Sequence, residues 1–457
     1  MIKRLFQRFQ KERDLTRISI SKGIFILAIP MIISNVLQTA FNVVDMIWVG
    51  KLGASALAAV AMSGQILLVV MFVMIGIGVG TTAKVARAVG EKDRPKADNV
   101  AMQSLILGFA GSVIFAAAGY YIAPWLLRVL GAAPEVVELG AGYLRITFLG
   151  VIVMFYGFLI SAILQGAGDA ATPMVILVVA TLINIVLDPV MIFGIGFIPA
   201  LGVNGAAWAT VISRTIGSVI ALDVLLRGRS RIHVKMKYFR IDWNTISSIL
   251  MIGFPASIQM TLRGLVGIVL IAVVAGFGTF AVAAYGVGLE LFMIAMMPGF
   301  ALGMASATLV GQNLGAQQQE RAVRSAWTTV GYYEIFMFSM CLVFLAFAPY
   351  LVMLFNTEPE VVRIGTEFLR IIALGTIFLA PALILGRSMS GAGDTVSPLV
   401  ITFITLWVIQ IPLAIFLSRI PSLGLTGVWV AFLVAYISQA AMAVIWFQVG
   451  RWKMKKV

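Results

Sequence analysis

The tetrapeptide Gly-Ala-Gly-Asp occurs at residues 166–169 and again at residues 391–394. The two copies lie 225 residues apart, and many other residues recur at the same shift. Matches this numerous at a single shift indicate that the chain is an internal duplication, which makes two structural copies the first expectation for the fold. The further matched pairs are Pro30 and Pro255, Gly53 and Gly278, Gly90 and Gly315, Pro124 and Pro349, Leu144 and Leu369, and Pro173 and Pro398.

The composition indicates that the protein lies in a membrane. Hydrophobic residues make up 61% of the chain and charged residues only 11%, whereas soluble domains contain about 25% charged residues. Backbone groups inside a bilayer must be satisfied within each spanning segment, so apolar runs of about 20 residues or more predict helices. We therefore predict an all-α polytopic membrane protein with twelve transmembrane helices. The predicted spans are 24–50, 58–83, 100–120, 141–165, 172–194, 203–226, 246–275, 282–307, 324–347, 366–386, 397–418 and 425–449.

The predicted spans divide equally between the two copies of the repeat. Six spans per copy is an even number, so both copies enter the membrane with the same orientation. We expect two six-helix lobes related by a pseudo-two-fold axis along the membrane normal. The predicted domains are a basic tail at 1–23, an N-lobe at 24–226, a linker at 227–245, a C-lobe at 246–449 and a second basic tail at 450–457.

The formal net charge of +14 reflects topology. Lys and Arg residues are concentrated in the two tails, in the linker and in alternate loops, and the positive-inside rule places such segments in the cytoplasm. We predict a multi-pass protein of the plasma or inner membrane with both termini cytoplasmic. The basic surface is suited to anionic lipid headgroups, and we expect no nucleic-acid partner.

The sequence carries little that would suggest an enzyme or a nucleotide-driven pump. His233 is the only histidine and Cys341 the only cysteine, so no metal site with ordinary ligand spacing is predicted. No G-x-x-x-x-G-K-[ST] phosphate loop occurs, so ATP does not drive the protein directly. We expect no cofactor and no catalytic residue, and any transport would be powered by an ion gradient.

Polar residues form a stripe along the first predicted span. Asn35, Gln38, Asn42 and Asp45 fall at i, i+3, i+7 and i+10 and therefore share one face of an otherwise apolar helix. A carboxylate in hydrocarbon costs about 2.5–3.5 kcal/mol on insertion scales, so such a residue is functional by default.

The fifth span repeats this design with Thr181, Asn184 and Asp188 at i, i+3 and i+7. The duplication does not preserve the acidic residues, because Asp45 corresponds to Leu270 and Asp188 to Leu413. Ion chemistry is therefore predicted in the first copy only.

Span directions place several polar side chains in one layer in the outer half of the membrane. Two facing carboxylates can share a proton, and Na+ is the alternative if enough oxygen ligands surround it. The predicted cation-coupling residues are Asp45, Asp188, Asn184, Gln38, Tyr143 and Thr210, and the Na+ alternative would use Asp45, Asn184, Asp188 and Thr210.

Pro30 lies within the first span, where proline removes a backbone donor and bends a helix. We interpret it as a conformational switch, with a static kink as the alternative. In the second copy Arg263 stands where the first has Gln38, and Glu290 lies in the next span. The two could form an ion pair or bind charged substrate. The predicted substrate-cavity residues are Asn42, Arg263, Glu290, Met293, Met297 and Phe300.

Three segments resemble the multidrug and toxic compound extrusion (MATE) transporters, and the resemblance extends over nearly the whole chain. They are VVDMIWVGKLG at 43–53, NIVLDP at 184–189 and TLVGQNLG at 308–315. The second is similar to the pattern of the proton-linked DinF-like branch, which includes archaeal members.

This resemblance implies a secondary active antiporter that exports amphipathic, often cationic drugs in exchange for H+ or Na+. It implies two lobes in a V shape around a central cavity, a monomer in contact with membrane lipids, and a bending first helix at Pro30. The same resemblance carries a cation site over onto Gln38, Asp45, Tyr143, Asn184, Asp188 and Thr210. The alternative function is a flippase for lipids or lipid-linked oligosaccharides, whose cavity would need several cations for a pyrophosphate.

Overall fold

The computed structural model describes residues 14–196, 199–235 and 239–455. Within these residues, twelve helices are long and apolar enough to cross a membrane, which confirms the predicted number. Residues 1–13 of the predicted N-terminal tail lie outside the described part. The helices are α1 Ile20–Gly50, α2 Ala54–Gly90, α3 Arg94–Val129, α4 Pro134–Gly166, α5 Ala171–Phe193, α6 Val203–Leu226, α7 Trp243–Ala275, α8 Thr279–Gly315, α9 Gln319–Met353, α10 Pro359–Gly391, α11 Val396–Ser418 and α12 Leu425–Val449.

Several helices are longer than the apolar runs from which they were predicted. Helix α2 continues past the predicted end at residue 83 to Gly90, and α3 begins at Arg94, although the apolar run starts at residue 100. Hydropathy marks the part of a helix that suits hydrocarbon, whereas the helix itself continues until its hydrogen bonding is interrupted. The interruption here is a turn at Lys92, whose φ is 60°, followed by Asp93, whose side chain accepts from the Lys96 N–H at 2.9 Å.

The Gly-Ala-Gly-Asp repeats end one helix and start the next in the same way in both copies. Gly168 has a φ of 90° and Gly393 a φ of 91°, values that favour glycine because it lacks a Cβ. The following Asp169 accepts hydrogen bonds from the backbone N–H of Thr172 at 2.9 Å and from its hydroxyl at 2.6 Å. Asp394 makes the equivalent contacts with Ser397 at 3.3 and 2.6 Å. The tetrapeptide is therefore a duplicated helix-capping turn.

The chain forms two compact units, each packed mainly against itself. Unit 1 contains Ile29–Phe254, and unit 2 contains Leu15–Ala28 together with the chain from Pro255 onward. In unit 1 the central helix α4 packs against α2, α3 and α6, and in unit 2 the matching helix α10 packs against α8, α9 and α12. The duplication predicted from the sequence is thus present in the packing.

The units do not follow the lobe boundaries of the sequence, because each leading helix changes unit beside its proline. The start of α1 belongs to unit 2 up to Ala28, and the start of α7 belongs to unit 1 up to Phe254. Both helices continue through their prolines, Pro30 and Pro255. The lobes predicted from the sequence each contain one of these helices entirely. In the structure, the two parts of each helix pack in different units.

Hydrogen bonds attach the start of α1 to unit 2 and the start of α7 to unit 1. In unit 2 the Arg321 guanidinium on α9 donates to the backbone oxygens of Leu15 and Ile18. In unit 1 the Gln103 amide on α3 donates to the Arg240 oxygen at 2.7 Å, and Asn99 donates to the Asp242 carboxylate at 2.9 Å. The predicted linker is therefore docked on α3 where it enters α7.

Helix α11 contains a stretch of π-helix at Phe403–Gln410. The corresponding residues 178–185 of α5 form regular α-helix. Because π-helical turns are rare and occur frequently at functional sites, this difference between the copies marks the surroundings of α11 as a candidate functional region.

Candidate functional site

Two carboxylates lie buried in unit 1, where α1, α4 and α5 bring them together. Asp45 is 8% exposed, whereas Asp188 and Asn184 are 0% exposed. The Asn184 amide donates to Asp188 Oδ1 at 3.0 Å. The charge of Asp45 acts on Asp188, and both charges act on the Tyr143 phenol of α4. The structure therefore brings together four of the six residues predicted for cation coupling.

Several buried oxygens of this cluster have no hydrogen-bond partner in the described part of the chain. They are Asp45 Oδ1, Asp188 Oδ2, Asn184 Oδ1 and Thr181 Oγ1. An unsatisfied buried polar group costs about 1–3 kcal/mol. None of the ion pairs in the described residues includes Asp45 or Asp188. Oxygen-rich surroundings without a neutralising cation are suited to binding a proton or a small hard cation.

The described residues contain no cluster of side chains suited to a transition metal. In residues 14–196, 199–235 and 239–455, no group of three or more His, Cys, Asp or Glu side chains could hold a metal ion. The unit 1 cluster supplies two carboxylates, one amide oxygen and one hydroxyl, all of which are oxygen ligands. Na+ would therefore fit the donor chemistry as cargo, as a proton would.

Gln38 was predicted with the carboxylates, but the structure places it in a separate contact. Its amide nitrogen donates to Asn42 Oδ1 at 3.1 Å, and its amide oxygen accepts from Arg214 Nη2 at 2.7 Å. Arg214 also lies over the Phe41 ring, 4.7 Å from its centroid. The sequence reasoning missed Arg214, and the available signal was one cation within the apolar span of α6.

Thr210 lies one turn before Arg214 on α6. Its backbone oxygen accepts from the Ser213 hydroxyl at 2.9 Å. No hydrogen bond of the described residues joins its own hydroxyl to Asp45 or Asp188, so its predicted role as a cation ligand has no contact to support it.

Pro30 lies inside the continuous helix α1. Its carbonyl oxygen accepts a hydrogen bond from the Ser34 hydroxyl at 2.9 Å. Helix α1 belongs to unit 2 up to Ala28, just before this proline, and to unit 1 from Ile29 onward. Its role as a conformational switch stays a prediction.

The predicted substrate-cavity residues are distributed over both units. Asn42 lies in unit 1 and is exposed, whereas Glu290 in unit 2 is exposed and Met293 is 50% exposed. Arg263, Met297 and Phe300 are part-buried. No ion pair joins Arg263 to Glu290 in the described residues. The ion-pair interpretation of Arg263 and Glu290 therefore has no contact to support it in the described residues. The other interpretation, that they bind charged substrate, stays a prediction.

Comparison with known proteins identifies the family. The MatE family matches residues 30–190 and 255–416, two segments that begin at the duplicated prolines. The chain is 31% identical over 444 residues to the probable multidrug resistance protein YoeA of Bacillus subtilis, covering 96% of each sequence. It is 28% identical over 462 residues to the probable multidrug resistance protein NorM of Thermotoga maritima, covering 99% of this chain and 97% of the relative.

A solved structure agrees with this family assignment. The crystal structure described as MATE in the bent conformation has a TM-score of 0.90 and 27% identity, covering 96% of this chain and 98% of that one. This chain belongs to the MatE family of multidrug efflux transporters. It is a multi-pass membrane transporter and not an enzyme, as the sequence predicted.

Proposed function

We propose that the protein is a secondary active antiporter that exports amphipathic, often cationic compounds in exchange for H+, with Na+ as the alternative coupling ion. The observation that carries this proposal is the pair of buried carboxylates in unit 1, Asp45 and Asp188, each with an unpartnered oxygen and neither in an ion pair with any described residue. A cation that binds there offsets the cost of burying like charges.

Coupling requires that ion and substrate favour different conformations of the protein. Asp45 lies on α1, the helix that carries Pro30 and passes from unit 2 into unit 1. Binding of the ion at Asp45 would alter the packing of α1, which makes α1 the candidate two-state element. The family membership supports export of small molecules, and the basic tails and loops support a plasma or inner membrane with both termini in the cytoplasm.

The test is drug export from proteoliposomes under an imposed pH gradient in sodium-free buffer. Asp188→Asn keeps the size of the side chain and removes its charge, so we expect export to fall to the level of empty vesicles. Glu334→Gln is the matched control, because Glu334 is a part-buried carboxylate within α9, a helix of unit 2, and we expect near-normal export. Full export by Asp188→Asn would overturn the coupling site.

The same vesicles distinguish the coupling ions. Export driven by a pH gradient without sodium supports H+ coupling. Export that requires an inward sodium gradient supports Na+ at the same carboxylates, and the Asp188→Asn variant should abolish either form.

One observation favours the flippase alternative as a second candidate. A cavity for lipid-linked oligosaccharides needs several cations to bind pyrophosphate. Unit 2 contains Arg263 and, close enough to be repelled by it, Arg387. Scrambling of a fluorescent pyrophosphate lipid by the same proteoliposomes would support this candidate, and scrambling no faster than in protein-free vesicles would exclude it.

A further inference from the structure

A pair of arginines lies in unit 2, outside the carboxylate cluster. Arg263 is on α7 and Arg387 is on α10, and both side chains are part-buried. Arg263 Nε is buried and has no hydrogen-bond partner in the described residues. Arg387 lies close enough to Arg263 for their charges to interact, and the Tyr436 phenol lies within the same range of Arg263. Two neighbouring guanidiniums in a poorly solvated place are unfavourable unless they share an anion.

Helix α11 fixes the position of α7 beside Arg263. The Gln259 amide donates to the Pro398 oxygen at 3.1 Å and to the Thr402 hydroxyl at 2.8 Å. Trp407, inside the π-helical stretch, donates its indole N–H to the Leu262 oxygen at 3.3 Å. The π-helix of unit 2 therefore contacts the residue directly before Arg263, which holds the arginine on a rigid support.

Arg387 is accommodated by a glycine on α8. A Cβ at Gly303 would lie 2.9 Å from Arg387 Cγ, so a larger residue would displace the arginine stem. At the matching position of unit 1, Gly78 faces the Phe158 ring instead, and Ala162 stands where Arg387 stands in unit 2. The same backbone thus accommodates an apolar ring in one copy and a cation in the other.

Space and a further donor lie beside the two arginines. Gly267 follows Arg263 by one helical turn on the same face, and its Cβ position has no atom within 4 Å. The Tyr436 ring stacks on Phe292 at 5.7 Å between centroids with an interplanar angle of 10°, which fixes the phenol. Guanidinium groups bind carboxylates and phosphates through paired, charge-assisted hydrogen bonds.

We propose that Arg263 and Arg387 form a binding site for the carboxylate or phosphate group of an amphipathic anion, with its apolar body along the open face of α7 at Gly267. The Tyr436 hydroxyl supplies a third donor to the same anionic group. Binding itself is independent of any ion gradient. The role of this anion as cargo rests on the export function proposed above, to which the site adds amphipathic anions and zwitterions.

The test measures binding of 1-naphthyl phosphate to the purified full-length protein in phosphatidylcholine nanodiscs. The neutral 1-naphthol serves as the matched probe without the anionic group. We expect Arg263→Gln and Arg387→Gln each to weaken binding of 1-naphthyl phosphate by about tenfold or more, because each removes a charge-assisted contact. Binding of 1-naphthol should not change. Arg263→Gln also introduces the residue that unit 1 has at this position, Gln38.

The control variant is Arg370→Gln, which removes an exposed arginine from the same helix α10. It should bind both probes as the wild type does, which separates local contacts from a change in net charge. Arg263→Lys keeps the charge without the paired donors, and we expect a loss smaller than that of Arg263→Gln. Equal affinity of the wild type for the two probes, or unchanged affinity in both Gln variants, would overturn the proposal.

Two further arms separate the possible sources of the anion and the two proposals. Phosphatidic acid in the nanodiscs that displaces 1-naphthyl phosphate supports a lipid headgroup as the ligand, whereas unchanged binding supports a soluble anion. Asp188→Asn should bind 1-naphthyl phosphate with wild-type affinity. Loss of export with binding retained in this variant supports two separate sites, and loss of binding in it would count against the anion site.

Discussion

Units 1 and 2 share one backbone design but differ in which of their matching positions carry a charge. Among the residues that the structure describes, no ion pair includes Asp45 or Asp188 in unit 1, and none includes Arg263 or Arg387 in unit 2. The backbone repeats so closely that Lys92 and its match, Gln317, both adopt a positive φ, 60° and 61°.

The contrast teaches which positions a duplicated membrane fold preserves. Capping turns, helix-ending residues and close approaches of two backbones fix the path of the chain, so they recur in both copies. A buried position on a helix face accepts either sign of charge provided that a ligand or partner compensates it. On the two proposals above, the copies bind oppositely charged ligands without any change of fold.

The strongest way to break this contrast is to give unit 1 the residue that unit 2 has at the same position. Asp45→Leu copies Leu270, and we expect proton-driven export to fall to the level of empty vesicles. The same change removes an unpartnered buried oxygen, so the free energy of unfolding should rise by about 1–3 kcal/mol. Transport in proteoliposomes and thermal unfolding in detergent measure the two effects.

The reciprocal variant, Leu270→Asp, is the control for this exchange. Leu270 is 2% exposed, and a carboxylate there would be buried without a partner. We expect lower stability and no gain in transport. Export retained by Asp45→Leu, or Leu270→Asp as stable as the wild type, would contradict the division of roles between the units.

A smaller effect should distinguish the two copies of one glycine. A Cβ at Gly391 would lie 2.3 Å from the Ala307 carbonyl oxygen, whereas at the matching Gly166 the nearest atom, the Thr82 oxygen, would be 2.9 Å away. Overpacking costs about 1–3 kcal/mol. We expect Gly391→Ala to lie near the upper end of this range and Gly166→Ala near the lower end, measured as the change in thermal unfolding midpoint.

Gly331→Ala provides the reference for the glycine pair. Its Cβ position has no atom within 4 Å, and alanine favours a helix by about 1 kcal/mol over glycine. This variant should be as stable as the wild type or more so. Equal losses in Gly391→Ala and Gly166→Ala would indicate that the two α2–α4 and α8–α10 approaches are equally tight.

The smallest expected effect is a pH-dependent loss of stability at the start of α7, the part of this helix that belongs to unit 1. Hydrogen bonds from the Thr245 hydroxyl and from Asn99 lower the pKa of Asp242 below its usual value. The stabilisation is therefore present above the usual Asp pKa of about 3.9 and is lost as the pH falls through the lower folded value. In unit 2 the start of α1 is held instead by hydrogen bonds from the Arg321 guanidinium to backbone oxygens, which involve no carboxylate.

Amide hydrogen exchange, corrected for the intrinsic rate, measures the protection of these two segments, the start of α7 and the start of α1, at pH 7 and at about pH 3. We expect protection to fall at the start of α7 but not at the start of α1. Asp242→Asn should reproduce the loss at pH 7 with a cost of about 1 kcal/mol, typical of a helix cap. An equal loss at both segments would show that the acid response is general and does not arise at Asp242.

Sequence reasoning predicted most of the fold because its signals are local or periodic. Apolar runs predicted the twelve helices, and the helical spacing of Asn184 and Asp188 predicted that both face the same cluster as Asp45. The contact between Gln38 and Arg214 was missed, since it joins residues 176 positions apart and depends on how α1 packs against α6. Arg387 directly follows the predicted span 366–386, among the loop cations that indicate topology, and nothing in its local sequence indicates Arg263 as its neighbour.

The sequence by itself determined the membrane environment, the duplication with its repeated Gly-Ala-Gly-Asp turns, and the presence of Asp45 and Asp188 in the first copy only. These follow from composition, from periodicity and from residue types whose conformational preferences act within a few positions. Tertiary structure alone decided that each leading helix is divided between the units, that Asp45 and Asp188 interact, and that Arg263 and Arg387 are neighbours. Those features depend on which helix faces pack against each other, and packing joins residues that the chain keeps far apart.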